Sequence, residues 1–397
     1  MATASHRFKS EPGVAPFSTS KLDLLMDDAG LDLLIVSSKH NVQYMLGGYR
    51  SSFFHFTDAI GTSRYLPVFV YPKGMPDKAA FFGHKLEVHD RENDPFWVTH
   101  STVECFGVAD TIQQAVAYMS DQGLNTANIG LENDFLPVQA YKQLQAAFPQ
   151  ASFHDALFPL ERMRAIKMAW EVKQLRSASE KVLASMQATF KQITPGMSKA
   201  EVIHLMRQEE ALRDLTFEYC WLSVGPNLNR TASQQPLTEG VPISIDSGAN
   251  YNGYVGDLAR MAVIGEPDAE LVGILDAIEE IQETAFALIK PGCTGHEIHS
   301  AASARLNKLS IGPHSHFVAH GMGLITHEAP RLTSDGSIRY EGYDADKPLQ
   351  SGMVLSVETT VADPNRGAVK LEDSLLVTDT GFEFLGNGLR GWNQAGS

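Results

Sequence analysis

The sequence predicts two domains: an α/β domain over residues 21–165, and an α+β domain with an internal pseudo-twofold repeat over residues 166–397. Three observations carry that expectation. Helical and strand patterns alternate through the first 160 residues. A charged segment, LERMRAIKMAWEVK at 160–173, then leads into a long helix. Beyond it one kind of loop occurs twice, ITPGMSKAEV at 193–202 and IKPGCTGHEI at 289–298, each between helical stretches.

Residues 1–20 contain Pro12, Pro16 and several Ser and Thr, with no apolar run of signal-peptide length. They read as a flexible arm that orders only where it packs on something. Residues 21–29 are helical, and 31–37 (LDLLIVS) form a buried strand. Residues 65–72 and 79–83 are further strands, 111–122 a helix, 127–131 a strand and 137–148 a helix. This alternation defines an α/β domain. Its first βα unit has no Gly-rich phosphate loop, so nucleotide binding is unsupported.

In the repeat, Pro-Gly ends one helix and a capping box starts the next, Ser198 with Glu201 and Thr294 with Glu297. Each half then carries two helices and a share of a central sheet. Residues 242–264 read as a β-hairpin turning at Asn252-Gly253. Asp246 follows an apolar run, where a carboxylate is costly unless charge-paired or metal-bound. Asp257 lies eleven residues on, and a turn with a bulge can bring both to one face. A second hairpin joins 353–361 (MVLSVETTV) to 369–377 (VKLEDSLLV) through a turn at 363–367, with Glu358 and Glu372 inside the apolar runs. His316, His320 and His327 fall within HFVAHGMGLITHE, and the glycines beside His320 permit close backbone approach.

Composition sets the bounds. The chain has 397 residues, 20% charged and 43% hydrophobic, which fits a globular protein with two cores. Its net charge of −15 argues against non-specific nucleic-acid binding. No apolar stretch is long enough to span a bilayer. The three cysteines, Cys105, Cys220 and Cys293, lie far apart without a CxxC, which points to reduced thiols and cytoplasmic residence.

Asp246, Asp257, His320, Glu358 and Glu372 together offer four carboxylates and one imidazole. That set suits two hard or borderline divalent cations (Mn, Co, Zn or Fe) sharing a water. Two such ions deprotonate a bridging water at neutral pH and polarise a carbonyl. The implied class is a dinuclear metallohydrolase.

The region 165–385 resembles the creatinase, aminopeptidase P, prolidase and methionine aminopeptidase superfamily, with its pita-bread fold. The matching pieces are DSGANYNGYVGDLAR, HFVAHGMGLITHE, GMVLSVETTV and VKLEDSLLV, in order and at matching spacing. The N-terminal domain, with HNVQYMLGGY at 40–49, resembles the creatinase-like N-domain of prolidases and aminopeptidase P. The resemblance implies metal ligation by Asp246, Asp257, His320, Glu358 and Glu372, with Asp257 and Glu372 bridging. It implies that Glu358 also shuttles the proton. His327 and His316 would hold substrate and stabilise the tetrahedral intermediate. It further implies a homodimer in which the partner's N-domain closes the site, with Arg50 and His55 reading substrate.

Two departures stand out. Proline-specific and methionine aminopeptidases usually carry a His upstream of the first ligand Asp, yet residues 224–240 contain none. Arg230 or Asn229 stands in its place, and Arg230 would bind an anionic group such as a substrate carboxylate. Lys370 replaces the usual Arg two residues before Glu372, which gives up bidentate pairing. Ala319 and Thr326 are smaller deviations.

The leading expectation is a metal-dependent hydrolase of a C–N bond, an Xaa-Pro dipeptidase or aminopeptidase acting on a short peptide. The alternative is a non-peptidase enzyme on the same scaffold, resembling ectoine hydrolase or a dimethylsulfoniopropionate lyase. A metal-free binding module is a third reading. Retention of all four acids and the imidazole argues against it, because unpaired buried charge is costly.

Overall fold

The computed structural model describes residues 12–61, 63–125, 127–336 and 340–396. The chain divides into two compact units between Arg164 and Ala165.

The N-terminal unit runs α1 (Thr19–Asp28), β1 (Leu33–Val36), α2 (Lys39–Met45), α3 (Ser52–His55), α4 (Thr57–Ile60), β2 (Val68–Pro72), β3 (Ala80–His84) and α5 (Val88–Asn93). It continues with β4 (His100–Cys105), α6 (Val108–Asp121), β5 (Asn128–Leu131), α7 (Val138–Ala147), β6 (Ser152–Asp155) and α8 (Leu157–Ala165). The strands form one mixed sheet in the order β4-β3-β2-β1-β5-β6. Every helix and strand expected here is present. The two strands the sequence pattern did not disclose, β4 and β6, are the sheet's two edges. Edge strands bury little, and β6 is largely exposed, so neither carries an apolar run.

The arm expected over 1–20 needs correction at its C-terminal end. Phe17 is buried against Tyr44, Tyr71 and Trp97, and Thr19 and Ser20 already belong to α1. Three aromatic partners supply the packing that order requires. Residues 1–11 of that arm lie outside the described residues.

The C-terminal unit runs α9 (Ala169–Gln192), α10 (Lys199–Ala211), β7 (Thr216–Val224), β8 (Pro242–Tyr251), β9 (Tyr254–Ile264), α11 (Ala269–Phe286) and α12 (Gly295–Leu306). Then follow β10 (Ser315–Gly321), β11 (Val354–Asp363), β12 (Gly367–Val377), β13 (Phe382–Phe384) and β14 (Asn393–Ala395). The main path of the sheet is β10-β11-β12-β9-β8-β7, so each half contributes two helices and three strands and the halves meet at β12 and β9. Both repeat loops close as capping boxes, Glu201 on the Ser198 N–H at 2.7 Å and Glu297 on the Thr294 N–H at 2.8 Å. The pseudo-twofold repeat therefore has the same local cause in each half.

One sheet face packs on the helices. Ile243, Ile245 and Leu258 join residues of α9 and α10 in one core, and Leu355, Val357 and Leu375 join α11 and α12 in another. Two ionisable features sit inside this layer. Arg260 and Asp373 pair at 2.7 Å with both side chains fully buried. Glu210 on α10 accepts from Ser247 Oγ at 2.9 Å, while its other oxygen has no hydrogen-bond partner among the described residues.

Burial pushes the Glu210 carboxyl up from 4.5 to about 8. A raised carboxyl binds its proton more tightly in the folded state. It therefore stabilises at low pH, and that contribution is lost as pH rises from about 4.5 through about 8. Glu210→Gln, which mimics the neutral acid, should fold normally and flatten the dependence of Tm on pH across that window. An unchanged pH slope in the variant would show that Glu210 is not the group responsible.

Candidate metal centre

The opposite sheet face carries the acids, and strand register explains why. Asp246 lies across from Ala259, and Asp257 across from Gly248. The turn residues Asn252 and Gly253 both have positive φ, 52° and 92°, the conformation a two-residue hairpin turn needs. Such a turn pairs odd positions with even ones, so an eleven-residue offset keeps both aspartates on one face. The bulge expected in this hairpin is not needed, and the β8–β9 register is continuous.

The register extends across the whole sheet. Glu358 pairs with Glu372, Glu372 with Ala259, Ala259 with Asp246, and Asp246 with Trp221. A neighbouring row holds His320, Ser356 and Ser374, and Asp257 follows with Gly248 and Tyr219. A third row holds His316, Thr360 and Lys370. Because side chains opposite one another share a face, all five expected ligands project to the same side. All five are buried. A cavity of about 710 Å³ opens there, lined by Tyr219, Trp221, Arg230, Asp246, Asp257, His316, Thr326, His327, Gly336, Glu358, Thr360, Lys370 and Glu372.

Two glycines make room. A Cβ at Gly248 would overlap the Tyr219 ring, which lies across that position towards Asp257. A Cβ at Gly321 would overlap the backbone at Glu328, Ala329 and Pro330, where the chain doubles back after His320.

The side chains sort into two groups. Asp257, His320 and Glu372 bring one donor atom each to within 4.8 Å of one another. Among the described residues, Asp257 Oδ1 and His320 Nε2 have no hydrogen-bond partner, and His320 Nε2 stands 3.8 Å from Glu372 Oε1, beyond bonding reach. Two orphaned buried donors beside a carboxylate fit a divalent cation. Ser356 Oγ donates to Glu372 Oε1 at 2.7 Å and orients it. The second group is built on Lys370. Its Nζ lies 2.7 Å from Asp246, 2.5 Å from Glu358 and 2.8 Å from Glu372. Arg230 also pairs with the same Asp246 oxygen, Oδ2.

Electrostatics follows from burial and these neighbours. Burial, then the Glu372 and Asp246 charges, hold the Asp257 carboxyl well above its ordinary range. Burial pushes Glu372 up too, but Lys370 and His320 outweigh it and hold it well below. Burial pushes the Lys370 ammonium down, and Asp246, Glu372 and Glu358 reverse that and hold it charged. His327 stacks on His320 with centroids 3.8 Å apart, and burial, with the neighbouring His320, lowers it to about 3. His327 is therefore a neutral imidazole at working pH.

Of the remaining expected site residues, His316 is exposed at the cavity edge. Arg230 is half-exposed, with its guanidinium 5.7 Å from the Trp221 ring centre. Asn229 turns instead to Thr231, accepting from its N–H and hydroxyl. Arg50 belongs to the N-terminal unit, where it donates to Gln43 at 3.0 Å. The His55 side chain lies outside the described residues. Tyr219, Trp221, Ser356 and Thr360 were not foreseen. Their signal is alternation within a strand, which becomes legible only once the strand's neighbour is known.

Residues 173–379 match metallopeptidase family M24, and residues 19–166 match the creatinase/prolidase N-terminal domain. The chain belongs to metallopeptidase family M24 and is a metallopeptidase-type hydrolase with a divalent-metal cofactor. An uncharacterised peptidase of Bacillus subtilis is 25% identical over 373 residues, covering 91% of this chain and 95% of that one. Among solved structures, a Bacillus anthracis Xaa-Pro dipeptidase superposes with a TM-score of 0.76 at 23% identity, over 93% of this chain and 97% of that one. An X-Pro aminopeptidase from Thermotoga maritima gives 0.75 at 20% identity, over 94% and 99%. These structural likenesses establish the pita-bread fold. No helix among the described residues is long and apolar enough to cross a membrane.

Proposed function

We propose that the chain hydrolyses the C–N bond of a short Xaa-Pro peptide, as a dipeptidase or aminopeptidase, with Asp257, His320 and Glu372 holding the metal. The observation that carries this is the grouping of those three donors, two of which, Asp257 and Glu372, line one cavity with Glu358, His327 and Tyr219 in an M24 fold. When bound, the metal supplies an activated water and a Lewis acid for the carbonyl.

The chain's own residues do the rest. Glu358 takes the proton from the attacking water and returns it to the leaving nitrogen. The Tyr219 phenol is held protonated by burial and by Asp257, Asp246 and Glu372, so it serves as a hydrogen-bond donor. Neutral His327 donates one hydrogen bond to the oxygen that gains charge. Arg230, beside Trp221 at the open side, offers a planar cation for a substrate carboxylate. Arg50 and His55 are proposed to read substrate across a homodimer interface, which Arg50→Ala tests. Unchanged KM and kcat in that variant would remove Arg50 from the reading.

Glu358→Gln should lower kcat by about 10²- to 10⁴-fold with bound metal retained, the range for general acid–base catalysis. A variant within tenfold of the parent would exclude Glu358 as the proton carrier. The deciding experiment is a hydrolysis screen on Mn²⁺-reconstituted protein, using Xaa-Pro dipeptides, longer Xaa-Pro peptides and non-peptide amides, with a chelated control. Chelator-sensitive proline release supports the proposal, and length preference separates dipeptidase from aminopeptidase. Cleavage confined to non-peptide amides would replace it. That second reading has one observation in its favour: an arginine paired with Asp246 from the segment where the peptidases carry histidine.

A further inference from the structure

The five-ligand pattern implies two ions, yet Lys370 stands among three of the expected ligands. We propose that this centre holds one divalent cation per chain, at Asp257, His320 and Glu372, and that the Lys370 ammonium fills the position of a second. The proposal rests on the metal-dependent reading above and changes its stoichiometry.

Donor counting is the first support. An ammonium has three N–H donors and no acceptor. Lys370 meets three different carboxylates, Asp246, Glu358 and Glu372, at 2.5–2.8 Å, which saturates it. Its side chain is only 8% exposed, so no solvent contact competes. Asp246 receives Arg230 as well, so its Oδ2 already carries two cations. Glu372 divides its oxygens: Oε2 faces Lys370, while Oε1 faces His320 and the donor group with orphaned atoms.

Charge is the second support. Asp246, Asp257, Glu358 and Glu372 carry four negative charges when ionised, and Lys370 and Arg230 carry two positive ones. One divalent ion brings the group to neutrality. A second would leave an excess of two positive charges in a buried site, or would have to expel an ammonium already held by three carboxylates. Both are costly in a poorly solvated interior.

Sequence is the third. Thr360, Lys370 and His316 share one row of the sheet, next to the row of Glu358, Glu372 and Asp246. Lysine at that position therefore extends along the sheet face into the acids. An arginine there would present a planar fork and lacks a compact point charge to take an ion's place.

The test is metal stoichiometry on the full-length chain. The protein is dialysed to equilibrium against excess Mn²⁺, freed of loose metal by gel filtration, and assayed by elemental analysis and electron paramagnetic resonance. The expected result is one Mn²⁺ per chain with the spectrum of isolated ions. Two tightly bound ions with an exchange-coupled spectrum overturn this proposal and leave the metal-dependent reading intact. No bound ion overturns both. Asp246→Asn should keep its single ion, and loss of that ion would show that Asp246 is a ligand after all. Lys370→Met, shown folded by its thermal melt, should take up a second ion. A folded variant that stays at one removes Lys370 from the second position.

Discussion

Glu372→Ala should lose metal and activity together. Glu372 Oε1 is oriented by Ser356 and faces His320, and Oε2 answers Lys370. Without this carboxylate the donor group shrinks to Asp257 and His320, and Lys370 keeps only two acidic neighbours. Two donors hold a borderline divalent ion poorly, because such sites draw on three or more protein ligands. The expected outcome is metal content near zero after gel filtration and a loss of kcat/KM well beyond the 10²- to 10³-fold typical of one stabilising donor. Asp257→Ala should behave alike. In the parent protein a chelator should also lower Tm, since a bound ion stabilises the folded state by mass action. Full metal occupancy in both variants would refute the assignment of these residues as ligands.

Asp373→Ala should instead destabilise the domain without removing any of the reacting groups. Asp373 points to the helix side of β12, where it meets Arg260 at 2.7 Å and also pairs with Arg390. Among the described residues, the Arg260 guanidinium is otherwise bonded to backbone carbonyls, those of Gly388, Ala259 and Glu372. Removing its carboxylate strands a fully buried cation beside a second arginine. Breaking a buried pair in this way costs roughly 3–5 kcal/mol, or on the order of 10 °C in Tm for a domain of this size. Denaturant titration measures it directly. A cost below about 1 kcal/mol would mean that water reaches Arg260 once the carboxylate is gone.

The acids of the site were legible because each lies in a local frame that betrays it. Asp246, Glu358 and Glu372 interrupt apolar strand runs, and only a charged partner makes that tolerable. The capping boxes at Ser198 and Thr294 were equally plain, since a cap is a contact between residues three apart. Strands β4 and β6 were not, because edge strands lack the apolar run that reveals a buried one. Tyr219 and Trp221 escaped for a related reason. In strand β7 they sit in the run Tyr219-Cys220-Trp221-Leu222, and which side faces the acids depends on its pairing with β8.

Lys370 marks the boundary between the two kinds of information. Sequence alone showed it as a departure from the usual arginine, two residues before Glu372. It determined the chemistry available: which acids, which imidazoles, which turns and caps, all set by neighbours within a few residues along the chain. Only the tertiary structure decided how many of those acids remain free for metal. That number depends on which side chains from β8, β11 and β12 share a rung, and strand pairing over more than a hundred residues sets it. A side chain's place in its own strand fixes the face it takes, but the charge it meets there belongs to strands that only folding brings alongside.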